Sequence, residues 1–556
     1  MSTFEEAKGS LGGGRVGSEA PTLFLRKATG LVRGWSVRDS IIYACLSTNV
    51  VTLGIVEMSY NSFIPRGQLL TSILISGVWV SFLVVTYAGL IVTIPRAGGD
   101  YVWQSRILAG PLGFVMATTG WWFILWLWAP IYGAVLNEEL FQPLLITLGL
   151  PGAATFFGTH NGDFVVCLIT IGLAGLLVSV GMNGYAKVQK YCFAGGVLGF
   201  LVVLGLLLFN THGDLVTAVN TYGKSMFHTN NAYAATNAAA KADGYASPAF
   251  TLGPIGASML LIPFMMFYLL WPNWGSTLYG EIRGASDFKR VFLGMFSGLW
   301  LTVLFSVAFL LLVAKTIGYG FYNNANAVWW TSFYAVPKAA TPAFSIWPYP
   351  VMLASWLVHN RAFQVILILV MSLWFIAWVG TLFLSSTRVI FAAAFDRVLP
   401  DAAATVSEKR KVPFASLVLM LLPAVALSAV YAYSLQFETY TLDATLVIAV
   451  TYLFSAFAAL ILPWRKKDLW AASPASKIKV LGVPIVPVAA LITIGLLLYN
   501  IVEWLTNSTY GVNNHKSLVF MGCLYAGAII LYVVARLVRK RQGIDLGLIN
   551  REIPVE

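Results

Sequence analysis

Ile94-Pro-Arg-Ala-Gly-Gly-Asp-Tyr-Val-Trp103 is a short polar interruption between two long apolar runs. Its chemistry dictates a stop, a tight turn and a restart. Pro95 lacks a backbone donor and ends the preceding helix, Gly98-Gly99 lets the chain turn through angles closed to other residues, and an amphipathic segment with Arg106 follows to Pro111. A bilayer core about 30 Å thick takes about 20 apolar residues per helix, and runs of that kind recur along the chain. Only 10% of the 556 residues are charged and 58% are hydrophobic. A soluble surface needs roughly 25% charged residues, so a chain with mean hydropathy of +0.77 belongs in lipid.

Twelve spans are read, at 39–60, 71–94, 112–136, 163–182, 188–209, 253–280, 291–314, 363–394, 413–432, 442–463, 483–504 and 517–538. Lipid leaves no unpaired backbone group satisfied, so these runs are helices, and no alternating pattern points to a barrel. The fold class is an all-α polytopic membrane protein. With both termini in the cytoplasm, 28 of the 35 Lys and Arg fall on that side; only Arg66, Lys224, Lys241, Lys315, Lys338, Arg361 and Lys516 lie outside. The deciding clusters are Arg26, Lys27, Arg33 and Arg38, Lys409-Arg410-Lys411, Arg465-Lys466-Lys467 and Arg539-Lys540-Arg541. The net charge of +12 is therefore a topology signal. Spread over many short loops, it fits anionic lipid headgroups and not a nucleic acid.

Residues 1–34 read as a flexible cytosolic tail and 539–556 as a cytosolic C-terminal tail. Cys45, Cys167, Cys192 and Cys523 fall inside spans and read as packing residues. The connections 210–252 and 315–362 are long, and the aromatics of Val328-Trp-Trp-Thr-Ser-Phe333 and Phe344-Ser-Ile-Trp-Pro-Tyr-Pro350 predict packed extracellular structure over the second. Asn507-Ser-Thr is a short glycosylation-type acceptor in an outside loop. His160, His212, His228, His359 and His515 all fall in outside loops without metal-ligand spacing, and no cofactor is implied.

The pattern P-R-x-G-G-x-Y after span 2 resembles the corresponding loop of the amino acid-polyamine-organocation transporters. Gly280-Glu-Ile-Arg-Gly284 after span 6 is similar to that family's Gly-Glu element, and Ser386-Thr-Arg-Val389 with Phe395-Asp-Arg-Val-Leu-Pro400 to its element after span 8. Lys187-Val-Gln-Lys-Tyr-Cys-Phe-Ala-Gly195 is a fourth shared element, and together they cover about residues 30–480. The resemblance implies a leucine-transporter-type fold, in which 35–210 (spans 1–5) and 253–463 (spans 6–10) are inverted repeats. Residues 211–252 then form an extracellular loop and 464–538 the last two spans. It implies a substrate held between broken helices 1 and 6, where freed N–H and C=O groups meet an anionic group and a cation.

Breakable sequence exists in both places. Tyr268-Leu-Leu-Trp-Pro-Asn-Trp-Gly275 sets Pro272 and Gly275 mid-span, with Trp271, Asn273 and Trp274 around them. The alternative is an ordinary kink. Ser47-Thr-Asn-Val-Val-Thr-Leu-Gly54 offers Ser47, Thr48, Asn49, Val50 and Thr52, although Val50 and Val51 stand where many members carry glycines. Hydroxyls bonded within their own helix are an equal reading there. In span 3, Trp121, Phe123 and Trp126 are candidates to shape the pocket.

Charges near the spans suggest gates. Glu57 lies about 27 Å above Asp39 at the helical rise of 1.5 Å per residue, near the outer interface, where it reads as an outer gate or a proton site. Arg96, Asp100, Glu281 and Arg283 read as inner-gate or loop residues. Some proton-coupled members carry a Lys after an Ala-Gly in span 5; here Ala194-Gly195 is followed by Gly196. The resemblance then leaves room for an ion, with Thr381, Ser385 and Ser386 of span 8 as oxygen ligands, against the reading that these hydroxyls only pack. Sodium and proton both stay open as coupling ions. The leading reading is a plasma-membrane secondary transporter of amino acids, amines or related small solutes, with no obligate protein partner. Alternatives are an exchanger, a channel or a non-transporting solute sensor; an enzyme would need convergent catalytic groups in the spans, and none is found.

Overall fold

A computed structural model describes residues 31, 34–434, 441–550 and 552–553. The tail reading for 1–34, with Arg26, Lys27 and Arg33, lies almost wholly outside the described residues. Among these, eleven helices are long and apolar enough to cross a membrane: Val37–Phe63, Leu69–Thr93, Gly110–Leu148, His160–Ser179, Gly181–Phe209, Phe288–Phe333, Arg361–Phe395, Phe414–Tyr433, Asp443–Arg465, Ile485–Thr506 and His515–Arg541. They correspond in order to spans 1–5 and 7–12.

The sixth span is the difference from the sequence reading. Residues 253–280 form no continuous long helix but two short ones, Ile255–Met259 and Ile262–Leu269, followed by a tight 3₁₀ turn at Trp274–Leu278. Pro263 begins the second helix, where its missing N–H costs nothing, and Pro272 falls in the non-helical stretch after it. We call this interrupted stretch segment 6.

Span 1 is positioned by its start and by a glycine opposite it. Ser36 caps the helix in a reciprocal box with Asp39, whose carboxylate also meets Lys190 of span 5 at 2.9 Å. Gly298 of span 7 lies so close that a Cβ there would be 2.7 Å from the Cys45 backbone nitrogen. Gly298→Val should therefore cost about 1–3 kcal/mol, read as lowered thermal stability of the purified protein.

The long connections are structured. Helices His212–Phe227 and Ala232–Ala242 fill the first. Span 7 continues through a π-turn into Tyr319–Phe333, where buried Trp330 donates its indole N–H to Ser59 Oγ at 2.9 Å. Trp347 and Trp356 are buried as well, so the aromatic-rich second connection packs as its composition predicts. A two-residue antiparallel ribbon pairs Lys479 with Pro484 and Val480 with Val483.

The opening motif is also packed, not solvent-facing. Gly98 and Gly99 take φ of 95° and 42°, and Gly98 N–H donates to the Thr277 carbonyl at 2.9 Å, joining this turn to segment 6. Arg106 of the amphipathic stretch is buried in an ion pair with Asp396 at 2.5 Å, and Tyr101 donates to the same carboxylate at 2.8 Å.

Candidate functional site

Span 1 is interrupted at Thr48–Asn49. Its first helix is Val37–Ser47, and a π-helical turn, Val50–Gly54, restarts the chain. Asn49 caps the restart: its Oδ1 accepts from Thr52 N at 3.0 Å, and its Nδ2 bonds the Thr52 hydroxyl. Ser47 donates to the Tyr43 carbonyl at 2.8 Å, and Thr48 bonds Thr302 of span 7 at 2.7 Å. Every candidate hydroxyl of span 1 thus has a protein partner, while Val50 and Val51 are buried among apolar neighbours.

Segment 6 differs. Asn273 is 0% exposed, yet neither its Oδ1 nor its Nδ2 makes a well-formed hydrogen bond. The buried Tyr452 hydroxyl interacts with the Asn273 amide from beside it, and the Thr277 hydroxyl has no partner. Burying unpaired polar groups is costly, and such clusters call for a ligand or water. The break is walled by indoles: Trp128 stacks on Trp274 at 5.5 Å, Trp121 meets Trp274 at 4.6 Å, and Trp271 stands edge-on to Trp128 at 5.1 Å.

The two interruptions interlock through reciprocal pairs. A Cβ on Gly54, in the second half of span 1, would lie 3.2 Å from the Tyr268 ring in the first half of segment 6. One on Gly275, in the second half of segment 6, would lie 3.2 Å from the Tyr43 ring in the first half of span 1. Small residues at these two points let the broken elements approach.

Span 8 closes the site from the side. Tyr43 Oη bonds Ser385 Oγ at 2.7 Å and donates to the Thr381 carbonyl at 3.1 Å. Trp274 Nε1 donates to that same carbonyl at 3.2 Å, and Ser385 donates to the Trp274 carbonyl at 3.0 Å. Ser386 bonds back to Leu382 of its own helix. Gly196 does not mark an open position: a Cβ there would lie 3.1 Å from Trp374, whose ring fills the space.

One face of the protein is latched. Glu281 and Arg388, 1% and 0% exposed, form a two-pronged ion pair at 2.7 and 3.1 Å. The Glu281 carbonyl accepts from Gly34 N at 3.0 Å, and Arg283 N donates to the Trp35 carbonyl at 3.0 Å, so the start of span 1 is bound to the end of segment 6. Arg283 contributes its backbone here, and the charge partner of Glu281 is Arg388. Asp100 accepts from Tyr87 at 2.6 Å, Ser455 at 2.5 Å and Trp121 at 3.1 Å, and meets Ser276 at 3.5 Å. Arg96 donates to the Pro95 carbonyl at 3.2 Å, beside the turn.

Asp100 lies between spans 2 and 3, and burial pushes its carboxyl up to about 6 against the pull of those donors. A raised carboxyl favours folding most below its unfolded pKa of about 4, and that contribution is lost as pH rises through 6. Melting temperature should fall across that window, and Asp100→Asn should flatten the fall.

The opposite face holds a cavity of about 350 Å³ between spans 1 and 3, segment 6, the continuation of span 7 and the turn at Ser508–Gly511. Leu53, Ile131 and Phe267 are part of its lining. Glu57 lines it at 3% exposure, where the length of span 1 predicts an interfacial residue; the packed connection around Trp330 buries it.

The family model described as amino acid permease matches residues 42–531. The chain belongs to the amino acid permease family. Membership implies amino acid transport by a multi-pass membrane protein, and a permease is not an enzyme. No curated protein matches the chain.

In this permease the structure sets Tyr268 against Gly54 and Gly275 against Tyr43, so segment 6 packs on both halves of span 1. Trp126 is not at the break: half-buried, it turns its indole N–H to the Leu419 carbonyl of span 9 at 3.1 Å. Trp128, two residues on, faces the break instead. Sequence reasoning missed Tyr43, Trp128, Arg388 and Tyr452. Arg388 had a signal, since an arginine inside a span needs a partner. Nothing in the sequence separates Trp128 from its three neighbouring tryptophans.

Proposed function

We propose that this permease is a secondary transporter that carries amino acids or related amines by alternating access, holding its substrate between the interruptions of span 1 and segment 6. The carrying observation is the buried Asn273 amide, without a well-formed hydrogen bond, at a break that interlocks with a second break. That amide can both donate and accept, so it suits a solute bearing a carboxylate and an amine. In this reading the leucine-transporter-type repeats are spans 1–5 and segment 6 to span 10, with substrate meeting Asn273, Trp271 and Trp274. The Glu281–Arg388 pair and the Asp100 cluster form the inner gate. The basic residues argue that the latched face and both termini are cytoplasmic, and the proposed location is the plasma membrane.

Ser385 and the Thr381 carbonyl already serve Tyr43 and Trp274, and Trp374 packs on Gly196. This favours transport that needs neither a Lys-type proton switch nor a sodium ion at that place. Proteoliposomes loaded with a mixture of the twenty amino acids test the reading. Saturable counterflow of at least one labelled amino acid is expected, undiminished without sodium or a pH gradient. Flux that never saturates would indicate a channel, and ligand-induced thermal stabilisation without flux a sensor.

A further inference from the structure

Span 12 is the least covered of the eleven spanning helices, with 17% of its apolar stretch buried inside the protein. Where it meets the start of span 3, the Phe114 and Tyr532 rings pack at 5.4 Å, and beside them runs an open groove of about 690 Å³. We propose that this groove is a binding site for one phospholipid with an anionic headgroup.

The groove is apolar along its length and cationic at one end. Ile529, Val533 and Leu537, four residues apart on span 12 and all exposed, form one wall, and Pro111, Leu112 and Val115 of span 3 form the other. Tyr532, Arg536 and Lys540 make the next ridge of span 12, so both cations stand towards its end. From Ile529 to Lys540 the helix rises about 16 Å, the scale of an acyl chain with its headgroup. Arg539, between the two cations in sequence, donates to the carbonyls of Arg397 at 2.6 Å and Leu399 at 2.9 Å, which ties this end to the polar loop after span 8.

The two cations are available. Among the described residues neither Arg536 nor Lys540 makes a side-chain hydrogen bond or an ion pair, and no Asp or Glu lines the groove. Asp545, the acidic group felt by Tyr532, accepts from the Gly547 N–H at 2.8 Å. Basic groups at a helix end beside lipid attract anionic headgroups, and an arginine matches the oxygens of a phosphate. Charge at one end and hydrocarbon along the rest is the pattern of a phospholipid. A free phosphate would use only the cations, and a zwitterionic headgroup would bring its own ammonium towards them.

The site lies on the outer side of spans 3 and 12, and its test measures lipid retention without flux, so it stands or falls independently of the transport reading. Native mass spectrometry of the purified full-length protein, equilibrated with equal amounts of phosphatidylglycerol and phosphatidylcholine of the same chains, reads it. Wild type should retain phosphatidylglycerol over phosphatidylcholine by about tenfold or more. The double variant Arg536→Gln with Lys540→Gln should lose that preference. Lys409→Gln with Lys411→Gln, an equal loss of charge elsewhere, should keep it. Val533→Trp fills the groove and leaves both cations, and it should lower retention of both lipids several-fold. All five positions are exposed, and unchanged melting temperatures in lipid-free detergent would confirm that the variants are folded. A preference that survives the Arg536 and Lys540 substitutions, or that is lost equally in the Lys409 and Lys411 control, would overturn the proposal. So would a Val533→Trp protein that holds phosphatidylglycerol as well as wild type, or displacement of the lipid by equimolar glycerol 3-phosphate.

Discussion

Arg388→Met is expected to lower stability by about 3–5 kcal/mol, because it strands the Glu281 carboxylate in a place where the pair is at most 1% exposed. The loss should appear as a large fall in melting temperature in detergent, and Glu281→Leu should produce a similar one. The double variant Arg388→Met with Glu281→Leu should recover most of the loss, since removing both charges removes the stranded one. Additive losses in the double variant would mean that the two side chains act separately. The same pair ties segment 6 to span 8, while the Glu281 carbonyl holds Gly34 and Trp35. Weakening it should therefore also loosen the latched face.

Asn273→Leu should act in the opposite sense on the two observables. Its amide makes no well-formed hydrogen bond at either polar atom, so replacing it with an apolar side chain of similar size should leave the melting temperature unchanged or raise it by the equivalent of about 1 kcal/mol. If the amide bonds the substrate, counterflow should fall about 10- to 100-fold, the worth of a hydrogen bond to a charged group. A stable protein with lost exchange separates a binding residue from a structural one. Normal exchange in this variant would remove Asn273 from the site.

The fold was largely legible because lipid enforces simple rules. Long apolar runs must be helices, and eleven of the twelve read from the sequence are long helices here. The twelfth departs where Pro263, Pro272 and Gly275 sit, which is where the sequence marked a breakable helix. The site was legible in part. Prolines and glycines announce backbone interruptions, so Trp271–Gly275 could be found. Which indole faces the break depends on helix rotation and on the π-turn at Thr119–Phe123, and that selected Trp121 and Trp128 over Trp126. Hydroxyl pairing is equally hidden: Ser47 and Thr48 look available in sequence and prove to be bonded within the protein. Glu57 was misplaced by length alone, because its burial comes from a connection more than 250 residues away in sequence.

Alternating access at the break is the central claim, and thiol accessibility tests it most directly. In a background with Cys192→Ser and Cys523→Ser, which keeps only the buried Cys45 and Cys167, one cysteine added at Tyr334, on the cavity wall, or at Thr277, buried beneath the latch, would be labelled with a membrane-impermeant maleimide. The proteoliposomes would be exposed to the reagent from each side in turn. Adding the amino acid mixture should slow labelling of Tyr334→Cys from one side and speed labelling of Thr277→Cys from the other. Unchanged rates at both positions, or both rising together, would contradict the account.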